Sequence, residues 1–296
     1  MTFKLDLADL PGSVAAVAHA QLRDAAEQLE RVYATDPETA VHEARKDVKK
    51  FRALLRVLRS VVPPKVRRVE NAAVRDASAL ISGARDADVM ITTLDALRDP
   101  AAGRVPGTTF DAAIDFLRGR TAHVSGDGFG ATLTALRAAD QRIDAWARAK
   151  VRPSDLVKGM VRTYADGMAA MEKAREAPTN ETLHEWRKRV KDLWYEERLI
   201  HDAWPAVLKA RAAEDKVLSE LLGDDHDLAV LSERLPELPV VVGELPHVIA
   251  LRREALQAEA FGLGARIYAE RPKDFGRRVD AWLRAAGKDA PEHAAA

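Results

Sequence analysis

Asp36-Pro37-Glu38-Thr39-Ala40-Val41-His42-Glu43-Ala44-Arg45-Lys46 returns, altered, as Ala177-Pro178-Thr179-Asn180-Glu181-Thr182-Leu183-His184-Glu185-Trp186-Arg187-Lys188. Each phrase opens on a proline start signal and continues with apolar residues three and four apart, the period of a helix. In the first copy Val41, Ala44, Val48, Phe51, Leu55 and Leu58 make a core stripe; in the second, Leu183, Trp186, Val190 and Leu193 do. A second matching pair lies downstream: Leu80-Ile81-Ser82-Gly83-Ala84-Arg85-Asp86-Ala87-Asp88 against Leu221-Leu222-Gly223-Asp224-Asp225-His226-Asp227. Both pairs are about 141 residues apart, so one internal duplication accounts for them.

Working outward, the same helical period holds almost throughout, and strand-like alternation is scarce. Breaks are expected at Pro11-Gly12, Pro63-Pro64, Gly83, Pro100 to Gly107, Gly126 to Gly130, Pro153, Gly223 and Pro236 to Pro246. Leu238 to Val242 is faintly strand-like, but the flanking prolines favour a loop. The expected fold is all-α: two helical bundles formed by internal duplication and related by a pseudo-two-fold axis around a basic groove. The repeats are placed at residues 1–152 and 153–287, together forming one domain, with a disordered tail at 288–296.

Charge is distributed unevenly. Lys+Arg and Asp+Glu both number 46, yet His42 to Arg59 holds seven basic residues against two acids. At about 100° per residue, His42, Arg45, Lys46, Lys49 and Arg56 share roughly a third of the circumference, with Arg52 at its margin. His184, Arg187, Lys188, Lys191 and Arg198 repeat the face. The following helices add Arg68 and Arg75 in the first half, and Lys209 and Lys216 in the second. Cations stacked on adjacent turns repel one another, and a shared anionic ligand gives the arrangement a purpose. Arginine presents a planar fork to phosphate oxygens, and lysine a mobile point charge. No aromatics interleave with these cations, so base stacking is not provided for.

These motifs resemble the CHAD family, an all-helical domain named for its histidines. They are Val41 to Arg52, its copy from Leu183 to Lys191, and the segments Gly83 to Met90 and Gly223 to Leu231. The similarity runs from roughly Gly12 to Ala286. It implies paired helical bundles with a basic central surface that binds inorganic polyphosphate, in proteins that associate with polyphosphate granules. Some members carry an N-terminal CYTH triphosphatase domain; this chain shows no E-x-E-x-K motif and resembles a stand-alone member. It departs from its own first repeat at Asp192 (for Lys50), at Trp194 (for Arg52), at Glu196 and Glu197, which precede Arg198, and at His226 (for Arg85).

Other classes are constrained. There is no cysteine, which excludes disulfides and thiol chemistry. No long uncharged apolar run suggests a membrane span, and the N-terminus lacks the order of a signal peptide, so a cytoplasmic location is expected. Asp224-Asp225-His226-Asp227 invites a metal reading, but His201 and His247 have no companion at helical spacing. A helix cap after Gly223, or pairing with the basic face, accounts for the acids instead. The isolated His19, His123 and His293 read as surface or core residues, and the five tryptophans mostly as core. No catalytic residue, metal or cofactor is expected. Two alternatives remain beside polyphosphate binding: a nucleic-acid or protein-interaction scaffold using the same groove, and a metal-dependent phosphohydrolase.

Overall fold

The computed structural model describes residues 3–81, 86–119, 126–147, 150–238 and 241–289. Among them there are helices and no strands. The order is α1 (Leu10–Glu27), a π-helical turn (Gln28–Val32), α2 (Pro37–Val57), α3 (Pro64–Leu80), α4 (Asp86–Ala96), α5 (Gly107–Arg118) and α6 (Gly126–Ala147). Then come α7 (Pro153–Glu176), α8 (Asn180–Leu199), α9 (Pro205–Arg234), α10 (Leu245–Ile267) and α11 (Pro272–Asp289).

The repeated phrase makes helices for local reasons. Asp36 Oδ1 accepts the Thr39 amide at 3.0 Å, and Pro37 occupies the first turn, where no amide donor is needed. In the second copy the Thr182 amide donates to Thr179 Oγ1 at 3.3 Å, while the Thr179 amide donates to Thr182 Oγ1 at 3.0 Å. The stripes read from the sequence are buried: Val41, Ala44, Val48, Phe51 and Leu55 on α2 with Leu58 at its C-cap, and Leu183, Trp186, Val190 and Leu193 on α8. Each large apolar side chain so buried contributes roughly 1.5–3 kcal/mol.

Helices α2 and α8 touch each other, and α7 lies against both. Gly159 on α7 makes the approach to α2 possible, since a Cβ there would overlap the Val57 carbonyl. One large core joins α1, α2, α3, α6, α7, α8 and α11 with the first part of α9 and the end of α10. A smaller one is built from α4 and α5 together with the second part of α9 and α10, residues 94–117 against 228–256. The N-terminal strand-less segment crosses α8, where the Leu5 amide donates to the Leu199 carbonyl at 2.8 Å.

Several sequence expectations are corrected. Gly223 does not end a helix; α9 runs unbroken from Pro205 to Arg234. Gly223 is buried, and a Cβ on it would press on the Arg187 guanidinium, so glycine serves close packing there rather than termination. Asp227 therefore caps nothing. Gly126 to Gly130 is the first turn of α6, not a loop. Trp204 is 48% exposed at the start of α9, whereas Trp146 and Trp186 are core as expected. Helix α11 extends to Asp289, two residues into the stretch read as tail. Gly83, Arg85, His123, His293 and the rest of the tail lie outside the described residues.

Candidate functional site

Where α2 and α3 meet α7 and α8, a cavity of about 290 Å³ is lined by Arg52, Leu55, Arg56, Arg59, Arg67, Arg68, Asn71, Asp166 and Arg189. Six guanidinium groups thus face one carboxylate. Arg52 and Arg56 lie one turn apart on α2, and Arg59 follows in the turn just past its end, where its amide donates to the Arg56 carbonyl. Helix α3 brings Arg67 and Arg68 from across the turn at Pro63, and α8 supplies Arg189.

Several of the guanidiniums are held by partners in the cavity wall and behind it. Arg52 Nε donates to Asn71 Oδ1 at 2.8 Å. Arg56 is bonded to Asp192, which also lies 3.2 Å from Arg189. Arg59 reaches Asp166 at 3.4 Å and donates to Thr163 Oγ1 at 3.3 Å. Thr163 in turn donates to Glu196 Oε1 at 2.8 Å. Fixed in this way, the forks have already lost side-chain freedom that a ligand would otherwise have to restrict.

Crowding is visible in the electrostatics. Burial lowers the Arg52 pKa, and Arg56, Arg75 and Arg189 lower it further against the opposing pull of Asp192. Burial, then Arg59 and Arg68, lower that of Arg67. Burial raises the Asp192 carboxyl despite Arg56 and Arg189. A site in which cations destabilise one another gains from any anion that enters it.

Of the residues expected from sequence, Arg52, Arg56 and Arg68 line the cavity, and Arg75 is near enough to act on Arg52 while pairing with Asp76 at 2.8 Å. Lys46 pairs with Glu43 at 2.8 Å, and His42 lies 3.8 Å from the same carboxylate. Arg45 and Lys49 are half-buried on α2, N-terminal to the cavity.

The second basic face points elsewhere. Arg187 packs on α9, 3.4 Å from the Ser219 carbonyl and against Gly223. His184 packs against His226 with ring centroids 4.3 Å apart and planes tilted by 38°, and both Nδ1 atoms are buried without a hydrogen-bond partner. Burial, then His226, Lys188 and Arg187, push His184 down to about 4, so it is a neutral ring at neutral pH. Lys188 pairs with Glu185 at 2.8 Å, Lys216 with Glu220 at 3.2 Å, and Lys209 is exposed. Lys191 is half-buried on α8. Arg198 lies over the rings of Trp194, Phe3 and Tyr195, at 5.2, 5.8 and 5.9 Å.

Arg59, Arg67, Arg189 and Asp166 were not singled out in the sequence. Arg59 stands past the end of α2, where no helical wheel places it, and a wheel centred on His42 set Arg52 at its edge. Arg67, Arg189 and Asp166 enter only through tertiary packing.

A larger cavity, about 480 Å³, lies between the start of α2 and helices α4, α9 and α10. Glu38, Asp224 and Asp227 line it beside Arg252, over an apolar floor that includes Leu97, Leu228 and Leu256. Its carboxylates repel a polyanion. Asp225 is turned away from it, accepting from Arg253 at 2.9 Å and Gln257 at 2.8 Å. Among the described residues no three His, Asp or Glu side chains gather as metal ligands, and no helix is long and apolar enough to cross a membrane.

Comparison with known proteins agrees with this architecture. The structure is similar to that of PptA from Streptomyces chartreusis, with a TM-score of 0.54 at 11% identity over 94% of this chain and 99% of that one. No curated protein matches the sequence. The family model of the CHAD domain matches residues 16–236, most of the chain and all of the arginine cavity. This protein belongs to the CHAD domain family.

Proposed function

We propose that the chain binds inorganic polyphosphate without chemically altering it, and that this contact attaches it to polyphosphate granules. The observation that carries the reading is the convergence of six arginines on one cavity. Guanidinium forks match phosphate oxygens two at a time, and a phosphate chain offers charge on every unit. The bases of a nucleic acid would find no aromatic ring among the lining residues to stack on. Arg45 and Lys49, farther along α2, would extend the positive surface beyond the cavity and engage further units of a long chain.

The test is to compare long-chain polyphosphate binding by the wild type and by an Arg59→Gln/Arg68→Gln/Arg189→Gln variant. A Lys209→Gln/Lys216→Gln variant serves as the control. The cavity variant should lose at least tenfold in affinity and show a shallower salt dependence, because fewer phosphates are neutralised. The control should change little. Equal binding by all three proteins would contradict the site, and turnover of polyphosphate with divalent metal would contradict the non-catalytic role.

A further inference from the structure

Behind the arginine cavity lies a carboxyl that anion binding itself does not require. Glu196 on α8 has no solvent exposure. Its Oε1 accepts from Thr163 Oγ1, which accepts from Arg59 of the cavity wall. Its Oε2 is buried and finds no hydrogen-bond donor. A carboxylate so placed has neither water nor a full set of donors, so the neutral acid is favoured.

The groups facing it come from each neighbouring helix. Helix α2 contributes Arg56 and the turn after it Arg59, both of which favour the ionised form, while Asp192, one turn back on α8, opposes it. Helix α7 contributes Thr163, and Asp166 through its contact with Arg59. On the far side, Arg211 and Asp215 of α9 and Arg278 of α11 act on the adjacent Glu197, with Arg211 donating to Glu197 at 2.7 Å. Burial dominates for Glu196 and pushes it up to about 8.

Resting on the polyphosphate reading of the cavity, we infer that Glu196, linked through Thr163 to Arg59, is a proton-operated control on anion affinity. With its proton, Glu196 leaves the cavity its full positive charge. On losing the proton it places a negative charge directly behind Arg59 and opposes the anion. One added charge at this range, partly screened, weakens binding on the order of tenfold.

The experiment measures long-chain polyphosphate binding from pH 6.5 to about pH 9. Internal phosphates of such a chain hold their charge across this range. Wild type should lose roughly tenfold in affinity as pH rises through about 8, and Glu196→Gln should bind as tightly as acidic wild type at every pH. In the unaltered protein, binding near pH 8 should take up protons from solution, a readout that does not depend on how the variant folds. Equal pH profiles for wild type and Glu196→Gln, or no proton uptake by the wild type, would overturn the control while leaving the site intact. So would a profile flattened by Asp192→Asn and not by Glu196→Gln. Failure of the wild type to bind at any pH would remove the polyphosphate reading and this inference together.

Discussion

Replacing Glu196 by Gln should change how the fold responds to pH, apart from any ligand. In the unfolded chain the carboxyl ionises near its ordinary value of 4.5, whereas in the folded protein it keeps its proton to about 8. Between those values the native state binds one more proton than the unfolded state, so stability falls as pH rises. The contribution is constant below the lower value and constant again above the upper one. Each pH unit in the window removes about 1.4 kcal/mol, so from about pH 5 to about pH 7.5 the wild type should lose about 3 kcal/mol relative to Glu196→Gln. The amide retains an oxygen for the Thr163 hydroxyl. Burial also raises Glu197 and Asp215, but these titrate in both proteins and cancel in the difference. Urea unfolding of both proteins at the two pH values measures it. Stability curves that stay parallel across the window would show that Glu196 is ionised in the folded protein, and the reasoning would fail.

Other expectations are simpler. Gly159→Ala should destabilise the protein by about 3 kcal/mol, since the new methyl meets backbone rather than a yielding side chain; thermal unfolding reads this directly. Arg142→Met leaves the buried Glu70 carboxylate without its fork, which now donates to both oxygens at 2.8 Å. The cost should be about 2 kcal/mol, below that of a fully buried pair because Arg142 is 42% exposed, and an unchanged denaturation midpoint would argue against it. Arg189→Gln should weaken polyphosphate binding and reduce the salt slope by roughly one ion, and an unaltered slope would remove Arg189 from the site.

Much of the fold could be read from local rules. The caps at Asp36 and Thr179 and the buried stripes of α2 and α8 follow from residue type and spacing. Gly223 misled because the rule that glycine ends helices is local, whereas its role here is to admit Arg187 from another helix. The site was partly legible. Arg52, Arg56 and Arg68 were visible as a helix-face pattern and line the cavity. Asp192, met in the sequence as a departure from the basic stripe, holds Arg56 and Arg189 in place. The link from Arg59 through Thr163 to Glu196 joins residues more than 100 apart in the chain, and no spacing rule reaches that far.

The central claim is that the arginine cavity recognises a phosphate chain. The most direct test is the affinity of wild-type protein for long-chain polyphosphate at low and high salt, with single-stranded DNA as competitor. The account predicts tight binding that weakens steeply with salt and resists the DNA. Displacement by equal concentrations of DNA, or affinity indifferent to salt, would contradict it.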